Sequence, residues 1–160
     1  MAAQNDRPNR PSPVRLRPPP AAVLRVLNPM VRASLGTPFW RLFPSWMAVL
    51  EFTGRRSHRR LRVPVGLHDV HGTATVFSER PWRLNFAGGA PVTVVGRGKR
   101  RDGRGELVQD RDKVGSAFVV ALEQTRPSTL GLAVEKGHRP TAEELAALEG
   151  DMITISYGDN

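Results

Sequence analysis

The chain has 160 residues, the length of one ordinary domain, and 39% of them are hydrophobic, which suits a globular core and excludes a bundle of membrane helices. It contains no cysteine, so disulfides, Cys-ligated zinc, iron–sulfur clusters and thiol nucleophiles are excluded. No apolar run approaches the roughly 20 residues that span a bilayer. The Arg/Pro-rich start is unlike a secretory signal, so a cytoplasmic location is expected.

The positive charge is concentrated in the first two-fifths of the chain. Residues 1–62 carry 12 Arg against only Asp6 and Glu51, whereas residues 63–160 are nearly balanced. Such asymmetry is typical of a protein with an anionic partner, a class that includes nucleic acids, membrane surfaces and phosphorylated small molecules. The alternative is that many of these arginines are solvated surface residues without a role.

The N-terminal part divides into a tail and an apolar segment. Residues 1–20 contain six prolines and four arginines and little that can be buried, which predicts a disordered or extended tail. Apolar residues then recur at helical spacing from Val23 to Val31, and Pro29 predicts a kink or a break between two short helices. The expected organisation is this tail followed by a single domain over residues 21–160.

Strand patterns begin at Met47, where β-rich or alternating segments are separated by short turns. The predicted strands are Met47–Phe52, Leu61–Val70, Thr73–Ser78, Val92–Arg97, Arg104–Val108 and Met152–Tyr157. A basic turn over residues 98–103 joins the fourth and fifth of these, and residues 81–87 are predicted to form a short helix or loop.

Two helix starts carry capping signals. Asp110 is a predicted N-cap for Lys113–Gln124, and Thr141 with Glu144 has the spacing of a capping box. About six strands with short turns predict a mainly β fold with α decoration, a small antiparallel barrel. Residues 23–35, with the aromatic side chains between Phe39 and Trp46, would then cap the barrel or contact a membrane surface.

The sharpest local feature is a basic loop after the first predicted strand. Gly54 permits a tight turn, and Ser57 and His58 lie within a run of five arginines. Guanidinium groups, a hydroxyl and free backbone N–H groups are the equipment with which proteins bind phosphate. The alternative is an ordinary solvated hairpin tip. The five arginines are Arg55, Arg56, Arg59, Arg60 and Arg62.

A second feature is the segment from Pro81 to Val92. Trp82 and Asn85 are three residues apart and would share a face of a helical turn, where an indole and an amide could stack on and hydrogen-bond a planar cofactor. The alternative is that Trp82 closes one end of the barrel. No catalytic pair is visible, and His68 and His71 lack a third ligand nearby, so a metal site is not supported.

Three segments, in this order, resemble the deazaflavin-dependent nitroreductase family, whose members adopt an FMN-binding-like split β-barrel. They are residues 50–57 (Leu-Glu-Phe-Thr-Gly-Arg-Arg-Ser), residues 62–66 (Arg-Val-Pro-Val-Gly), and residues 82–92 with Trp82, Asn85 and the run Gly-Gly-Ala-Pro-Val. The likeness covers most of the chain beyond the tail.

The resemblance implies an oxidoreductase that uses the reduced 8-hydroxy-5-deazaflavin coenzyme (coenzyme F-420), with FMN as the less favoured cofactor. It implies hydride transfer to a small acceptor, a quinone or a nitro compound, and a homodimer. The basic loop would hold the coenzyme's phosphate, and the Trp-containing segment would lie beside the same cleft. The residues assigned to the coenzyme in this way are Arg55, Arg56, Ser57, Arg62, Trp82 and Asn85.

The chain departs from the family pattern at two places: His58 stands where a glycine is usual, and Arg83-Leu84 replaces a Trp-Arg pair. The alternatives are therefore an FMN-loaded or non-catalytic split barrel, or a module that binds an anionic partner such as nucleic acid or lipid. Nucleic acid is disfavoured because few aromatic residues interleave the arginines of the tail and no nucleic-acid motif is present.

Overall fold

Two strands that are consecutive in the chain form the two edges of the main sheet, and this connection determines how the fold curves. The computed structural model describes residues 12–17, 41 and 43–158. Within these residues the strands are β1 (Val14–Leu16), β2 (Met47–Thr53), β3 (Arg60–Gly66), β4 (His68–Val70), β5 (Thr73–Ser78), β6 (Ala90–Gly96), β7 (Lys99–Val108), β8 (Leu132–Val134) and β9 (Asp151–Tyr157). The helices are a 3-10 helix (Pro81–Phe86), α1 (Arg111–Gln124), a second 3-10 helix (Pro127–Leu130) and α2 (Ala142–Ala146).

The main sheet is antiparallel, with strand order β3-β2-β6-β7-β9-β5-β4. Its edges, β3 and β4, are separated in the chain by Leu67 alone. Because one residue spans about 3.5 Å, the two edges must meet at this end, and the sheet curls into a half-barrel. The edges pair with no other strand of the described residues, so the barrel is split between β3 and the β4–β5 hairpin.

The interior of the half-barrel is filled by alternate residues of the strands. On β9, Ile153 and Ile155 point inward and Met152 points outward, as the period of two requires. Phe86 of the first 3-10 helix is fully buried in the same interior. Gly105 on β7 makes room for it, because a Cβ at this position would lie 2.6 Å from the Phe86 ring. The buried core consists of Ala48, Leu50, Phe52, Val65, Val76, Phe86, Val92, Val94, Ile153 and Ile155.

A second core lies between the outer face of the sheet and the helices. Phe118 of α1 stacks on Phe77 of β5 with ring centroids 4.0 Å apart. The Asp110 carboxylate accepts hydrogen bonds from the first turn of α1, and the Thr141 capping box starts α2, both as predicted. The small β1–β8 sheet covers this core, and Val14 of β1 is 1% exposed. In the described part of the chain, no helix has the length and apolar character needed to cross a membrane.

The predicted fold class is confirmed: the chain is mainly β, with a curled antiparallel sheet and few helices. That sheet has seven described strands rather than six, because the predicted Leu61–Val70 segment breaks at Leu67 into β3 and β4. The predicted basic turn is also shorter than expected. Arg97 and Gly98 both have positive φ, which forms a two-residue hairpin turn, so residues 99–103 belong to β7.

Part of the predicted tail lies within the described residues. Residues 14–16 are extended, and they form a strand whose backbone pairs with β8 and whose Val14 fills a place in the second core. Composition did not indicate this packing, since the strand partner lies more than 100 residues away in the chain. The predicted helical segment over residues 21–35 lies outside the described residues.

Replacing Val14 by alanine tests the structural role of β1. Loss of two buried methyl groups should lower the free energy of unfolding by about 2 kcal/mol, and the melting temperature by roughly 4–8 °C. The neighbouring Arg15→Ala, at an exposed position of the same strand, should change stability by less than about 0.5 kcal/mol. Thermal and urea denaturation of both variants measures the difference, and equal effects would contradict a packed β1.

Candidate functional site

The basic loop between β2 and β3 is closed by its own backbone. The N–H of Gly54 donates to the carbonyl of Arg59 (2.8 Å), and the N–H of His58 donates to the carbonyl of Gly54 (2.9 Å). Ser57 folds over Gly54, where a Cβ would lie 2.4 Å from the Ser57 hydroxyl oxygen. The glycine is therefore required for space, and the loop forms a tight turn with its arginines on the outside.

His58 adopts the backbone conformation that a glycine would favour. Its φ is +52°, in the left-handed region, which a non-glycine residue enters at a cost of roughly 1 kcal/mol. The backbone N–H of His58 nevertheless makes the hydrogen bond that closes the loop. The departure from the family pattern at this position thus leaves the turn intact.

Asn85 fastens the basic loop to the first 3-10 helix. Its side-chain oxygen accepts a hydrogen bond from the backbone N–H of Arg55 (2.7 Å), and its side-chain nitrogen donates to the carbonyl of Trp82 (2.7 Å). The guanidinium of Arg55 also donates to the carbonyl of Ala87 at 3.3 Å. The two features of the sequence, 30 residues apart, are therefore directly joined, and Asn85 acts through the position of the loop.

The guanidinium groups of this loop differ in how they are used. Those of Arg56 and Arg59 are exposed and make no hydrogen bond or ion pair with the described residues. The Ser57 oxygen accepts from the backbone N–H of Arg59 (3.3 Å), which leaves its own hydroxyl hydrogen to donate. The tip of the loop is thus a cationic surface with unused donors.

A cavity of about 830 Å³ lies where the barrel is split. One wall is β3 from Arg62 to Gly66, the other includes His68 and Phe77 of the β4–β5 hairpin, and Trp82 closes one side. The lining combines apolar and aromatic side chains with charged ones such as Glu79, Arg80 and Asp151, and a mixture of this kind is typical of small-molecule sites. The cavity adjoins the basic loop, since β3 continues from the loop into the cavity wall.

The 3-10 helix contributes to both the loop and the cavity. Trp82 lines the cavity and also packs on Phe52 and Phe86, with ring centroids 6.0 and 6.3 Å apart. The indole therefore packs against the barrel interior and also lines the cavity. The two roles considered for Trp82, closing the barrel and contacting a ligand, each correspond to part of its contacts. Leu84, on the same helix, is 48% exposed and does not line the cavity.

Arg62 belongs to a cluster around a buried carboxylate. Glu51 of β2 is directly opposite Arg62 in the sheet. Its carboxylate forms an ion pair with the Arg62 guanidinium, with a nitrogen–oxygen distance of 2.8 Å. Arg60 and Arg100 bind the same carboxylate at 3.3 and 2.6 Å. The Nε of Arg62 is buried and has no hydrogen-bond partner among the described residues, while other parts of its side chain line the cavity.

Hydrogen bonds from Arg100 hold the pKa of Glu51 below its usual value, against the opposing effect of burial, and the charges of Arg62 and Arg60 act in the same direction as Arg100. Glu51 is therefore ionised at neutral pH and neutralises part of the charge around it. It fixes β3, which carries Arg62, against β2 and the β6–β7 hairpin.

A second buried carboxylate, Asp151, holds the opposite side of the cavity. Burial acts to raise its pKa, but hydrogen bonds from Arg83 and Gln109 and the charges of Arg83 and Arg111 outweigh burial and lower it. Arg83 reaches Asp151 at 2.7 Å, and Arg111, at the start of α1, makes a second ion pair with it. Arg83, at which the chain departs from the family pattern, thereby links the 3-10 helix to β9.

The structure brings the predicted site residues into two adjoining groups. Arg55, Arg56 and Ser57 lie on the loop, Arg62 and Trp82 lie in the cavity wall, and Asn85 connects them. Sequence reasoning missed Glu51, Asp151 and the cavity position of His68. A lone acid in an apolar strand was the available signal for Glu51, whereas nothing local marked the other two.

The aromatic residues before the sheet are described only in part. Phe43 packs on Val49 and Val95 of the sheet, and Trp46 lines the cavity at 37% exposure. Phe39 and Trp40 lie outside the described residues. Over residues 12–17, 41 and 43–158, no three His, Asp or Glu side chains come together in a group that could hold a metal ion.

Comparison with known proteins gives structural likeness only. No family model and no curated protein matches the chain. A solved structure named as a domain-swapped dimer matches at 14% identity with a TM-score of 0.51, over 86% of this chain and 100% of its own. The likeness establishes the fold. It is consistent with the curled sheet and carries no activity or assembly across to this protein.

Two further solved structures match with lower TM-scores. One is the FAD- and heme-binding protein from Mycobacterium smegmatis, at 19% identity and a TM-score of 0.45, over 72% of this chain and 62% of its own. The other is a candidate 5-nitroimidazole antibiotic resistance protein from Bacteroides thetaiotaomicron, at 6% identity and a TM-score of 0.44, over 91% of this chain and 84% of its own.

Replacing Glu51 by glutamine should lower the free energy of unfolding at neutral pH. It should also make that free energy depend less steeply on pH in the acidic range. The ionised carboxylate makes its full contribution to the free energy of unfolding when the pH is above the usual glutamate pKa of about 4.5. This contribution is lost as the pH falls through the lower pKa that Glu51 has in the folded protein. At pH 7 we expect a loss of about 2–3 kcal/mol, less than for a fully buried pair because Arg60 and Arg100 are more than half exposed.

Urea denaturation at a series of pH values between 7 and 3 measures this effect. Glu123→Gln, on the exposed side of α1, is the matched control and should follow the native protein at every pH. If Glu51→Gln and the native protein lost stability with equal steepness below pH 5, the ionised carboxylate would not be what holds β3.

Proposed function

We propose that the protein is a reductase that binds a reduced deazaflavin coenzyme and passes its hydride to a small acceptor, a quinone or a nitro compound. The observation that carries this proposal is the junction between the basic loop and the cavity. A cationic loop adjoins a cavity with aromatic side chains in its lining, and Asn85 joins the loop to the 3-10 helix that carries Trp82 of the cavity wall. This combination suits a ligand with an anionic tail and a planar ring system.

The donors of the loop fit the anionic part of such a coenzyme. Its phosphodiester and glutamate tail carry several negative charges, and guanidinium groups bind phosphate oxygens with two parallel hydrogen bonds. Arg56 and Arg59 have no partners among the described residues, and Ser57 retains a hydroxyl hydrogen to donate. Arg55, Arg56 and Ser57 are the residues that we assign to the phosphate.

The cavity fits the ring system. A volume of about 830 Å³ lies within the range of cofactor sites, and Trp82 offers an aromatic face. Arg62 lines the same cavity through other parts of its side chain, so we assign Arg62 to the ring.

When bound, the coenzyme would supply a hydride to the acceptor. The contribution of the protein is then orientation and the exclusion of water, since binding two reactants in one cavity removes most of the entropic cost of their encounter. Trp82 and the aromatic wall of the β4–β5 hairpin would orient both rings. This division agrees with the absence of a recognisable acid–base pair in the sequence.

The other possibilities make different demands on the same residues. An FMN-loaded or non-catalytic barrel would use the loop and cavity with another ring or with none, and a partner such as nucleic acid or anionic lipid would use the loop alone. A homodimer and peripheral contact with a membrane stay part of the proposal as expectations. The cavity favours a small molecule, because a macromolecular anion needs only the exposed arginines.

Arg56→Ala tests the proposal with little risk to folding, because this guanidinium has no partner among the described residues. Loss of one charged hydrogen-bonding group should weaken binding of the reduced or oxidised deazaflavin coenzyme about tenfold to thirtyfold. Binding is measured through the fluorescence of the coenzyme at low and moderate salt, with FMN titrated in parallel. Arg139→Ala, at an exposed arginine shortly before the N-cap of α2, is the matched control and should leave the affinity unchanged.

Tighter binding of FMN than of the deazaflavin coenzyme would favour the flavin alternative. Binding of neither, together with steeply salt-dependent binding of DNA or anionic vesicles, would replace the reductase proposal by an anionic-partner module. Equal coenzyme affinities of Arg56→Ala and the native protein would contradict the assigned role of the loop.

A further inference from the structure

His68 is an imidazole in the cavity wall for which neither the fold nor the proposed coenzyme has a use. It is the first residue of β4, lines the cavity, and lies beside Phe77 with ring centroids 6.0 Å apart. Neither ring nitrogen has a hydrogen-bond partner among the described residues. The charged residues Glu79, Arg80 and Asp151 line the same cavity, but beside Phe77 these nitrogens are uncharged polar groups available to a guest.

Gly66 keeps the space that this imidazole occupies. A Cβ on Gly66 would lie 2.9 Å from the Nε2 of His68 and 3.5 Å from the indole of Trp46. Gly66 does not have a positive φ, so its backbone does not require glycine. The absent side chain leaves room for the end of the His68 ring at the point where β3 and β4 meet.

The imidazole is uncharged at neutral pH, because burial lowers the pKa of His68. A neutral imidazole has one N–H that donates and one nitrogen that accepts. Such a group binds a carbonyl or nitro oxygen without the desolvation cost of a charged side chain. It discriminates between an aromatic guest that carries an oxygen and one that does not.

We propose that His68, seated over Gly66, is the group that hydrogen-bonds the oxygen of the aromatic acceptor in this cavity and so determines which aromatic molecules bind. The identity of the acceptor class rests on the proposed function, whereas the role of His68 rests on the cavity. Phe77 and Phe118, stacked behind the imidazole, form the aromatic wall against which the acceptor lies. The selection is for a planar ring bearing an oxygen that accepts a hydrogen bond.

The test compares two probes of nearly equal size, 1,4-naphthoquinone and naphthalene, in equilibrium dialysis against the full chain without coenzyme. The chain has no cysteine, so the quinone cannot be consumed by a thiol. We expect native protein to bind naphthoquinone more tightly than naphthalene. His68→Phe, which keeps the ring and removes its nitrogens, should weaken naphthoquinone binding about five- to tenfold and leave naphthalene unchanged.

Three further variants separate the hydrogen bond from packing. His68→Gln restores a donor and should recover most of the preference for naphthoquinone, and Gly66→Ala, which displaces the imidazole, should reduce it. His71→Asn, at the exposed turn of the same hairpin, keeps a residue that tolerates the positive φ there and is the control. Equal naphthoquinone affinities of His68→Phe and native protein, or failure of both probes to bind, would overturn the proposal.

The proposed function and the proposed role of His68 can be disproved independently of each other. If Arg56→Ala had no effect on the coenzyme but His68→Phe lost the preference for naphthoquinone, the reductase would be rejected while the cavity would stand as a site for oxygen-bearing aromatic molecules. If the coenzyme bound through the loop but no variant of His68 changed the preference, the function would survive and the role of His68 would not.

Discussion

The connection of β3 to β4 through Leu67 alone is the constraint on which the rest of this structure depends. Strands at opposite edges of a seven-stranded sheet cannot be joined by one residue unless the sheet curls until the edges meet. The edges touch at this end without forming a ladder, and the space between them becomes the cavity. The site is thus a consequence of topology, and the residues on both sides of Leu67, Gly66 and His68, lie at its apex.

Two buried carboxylates keep the walls of this space apart and in place. Glu51 binds three arginines and fixes the edge strand β3, while Asp151 binds Arg83 and Arg111 and fixes the 3-10 helix and the start of α1. Removing either acid would leave the arginines around it without their counter-charge, a situation more costly than never having formed the cluster. Of the arginines in residues 1–62 that suggested an anionic partner, Arg60 and Arg62 are therefore used inside the fold.

How much of this could be predicted depends on whether a signal was local. Asp110 and the Thr141 capping box act over three residues, so the sequence predicted both helix starts correctly. Val14 acts through a strand partner at Val134, and composition predicted a tail instead. The basic loop and Trp82 were recognised as features, but that Asn85 joins them depends on a hydrogen bond across 30 residues. Registers and long-range contacts of this kind follow from the whole fold, which no single segment encodes.

The arginines of the loop region show how position, more than number, sets the capacity to bind an anion. Arg60 and Arg62 belong to β3 and bind Glu51, whereas Arg56 and Arg59 belong to the turn and have no partner among the described residues. The boundary between these pairs is the hydrogen bond between Gly54 and Arg59, where the turn ends and the strand begins. If the turn ended one residue earlier or later, a different set of arginines would lie beside Glu51 and a different set would remain on the turn. The tightness of the turn, which depends on Gly54 and on the left-handed backbone of His58, therefore decides which charges are left to bind a ligand.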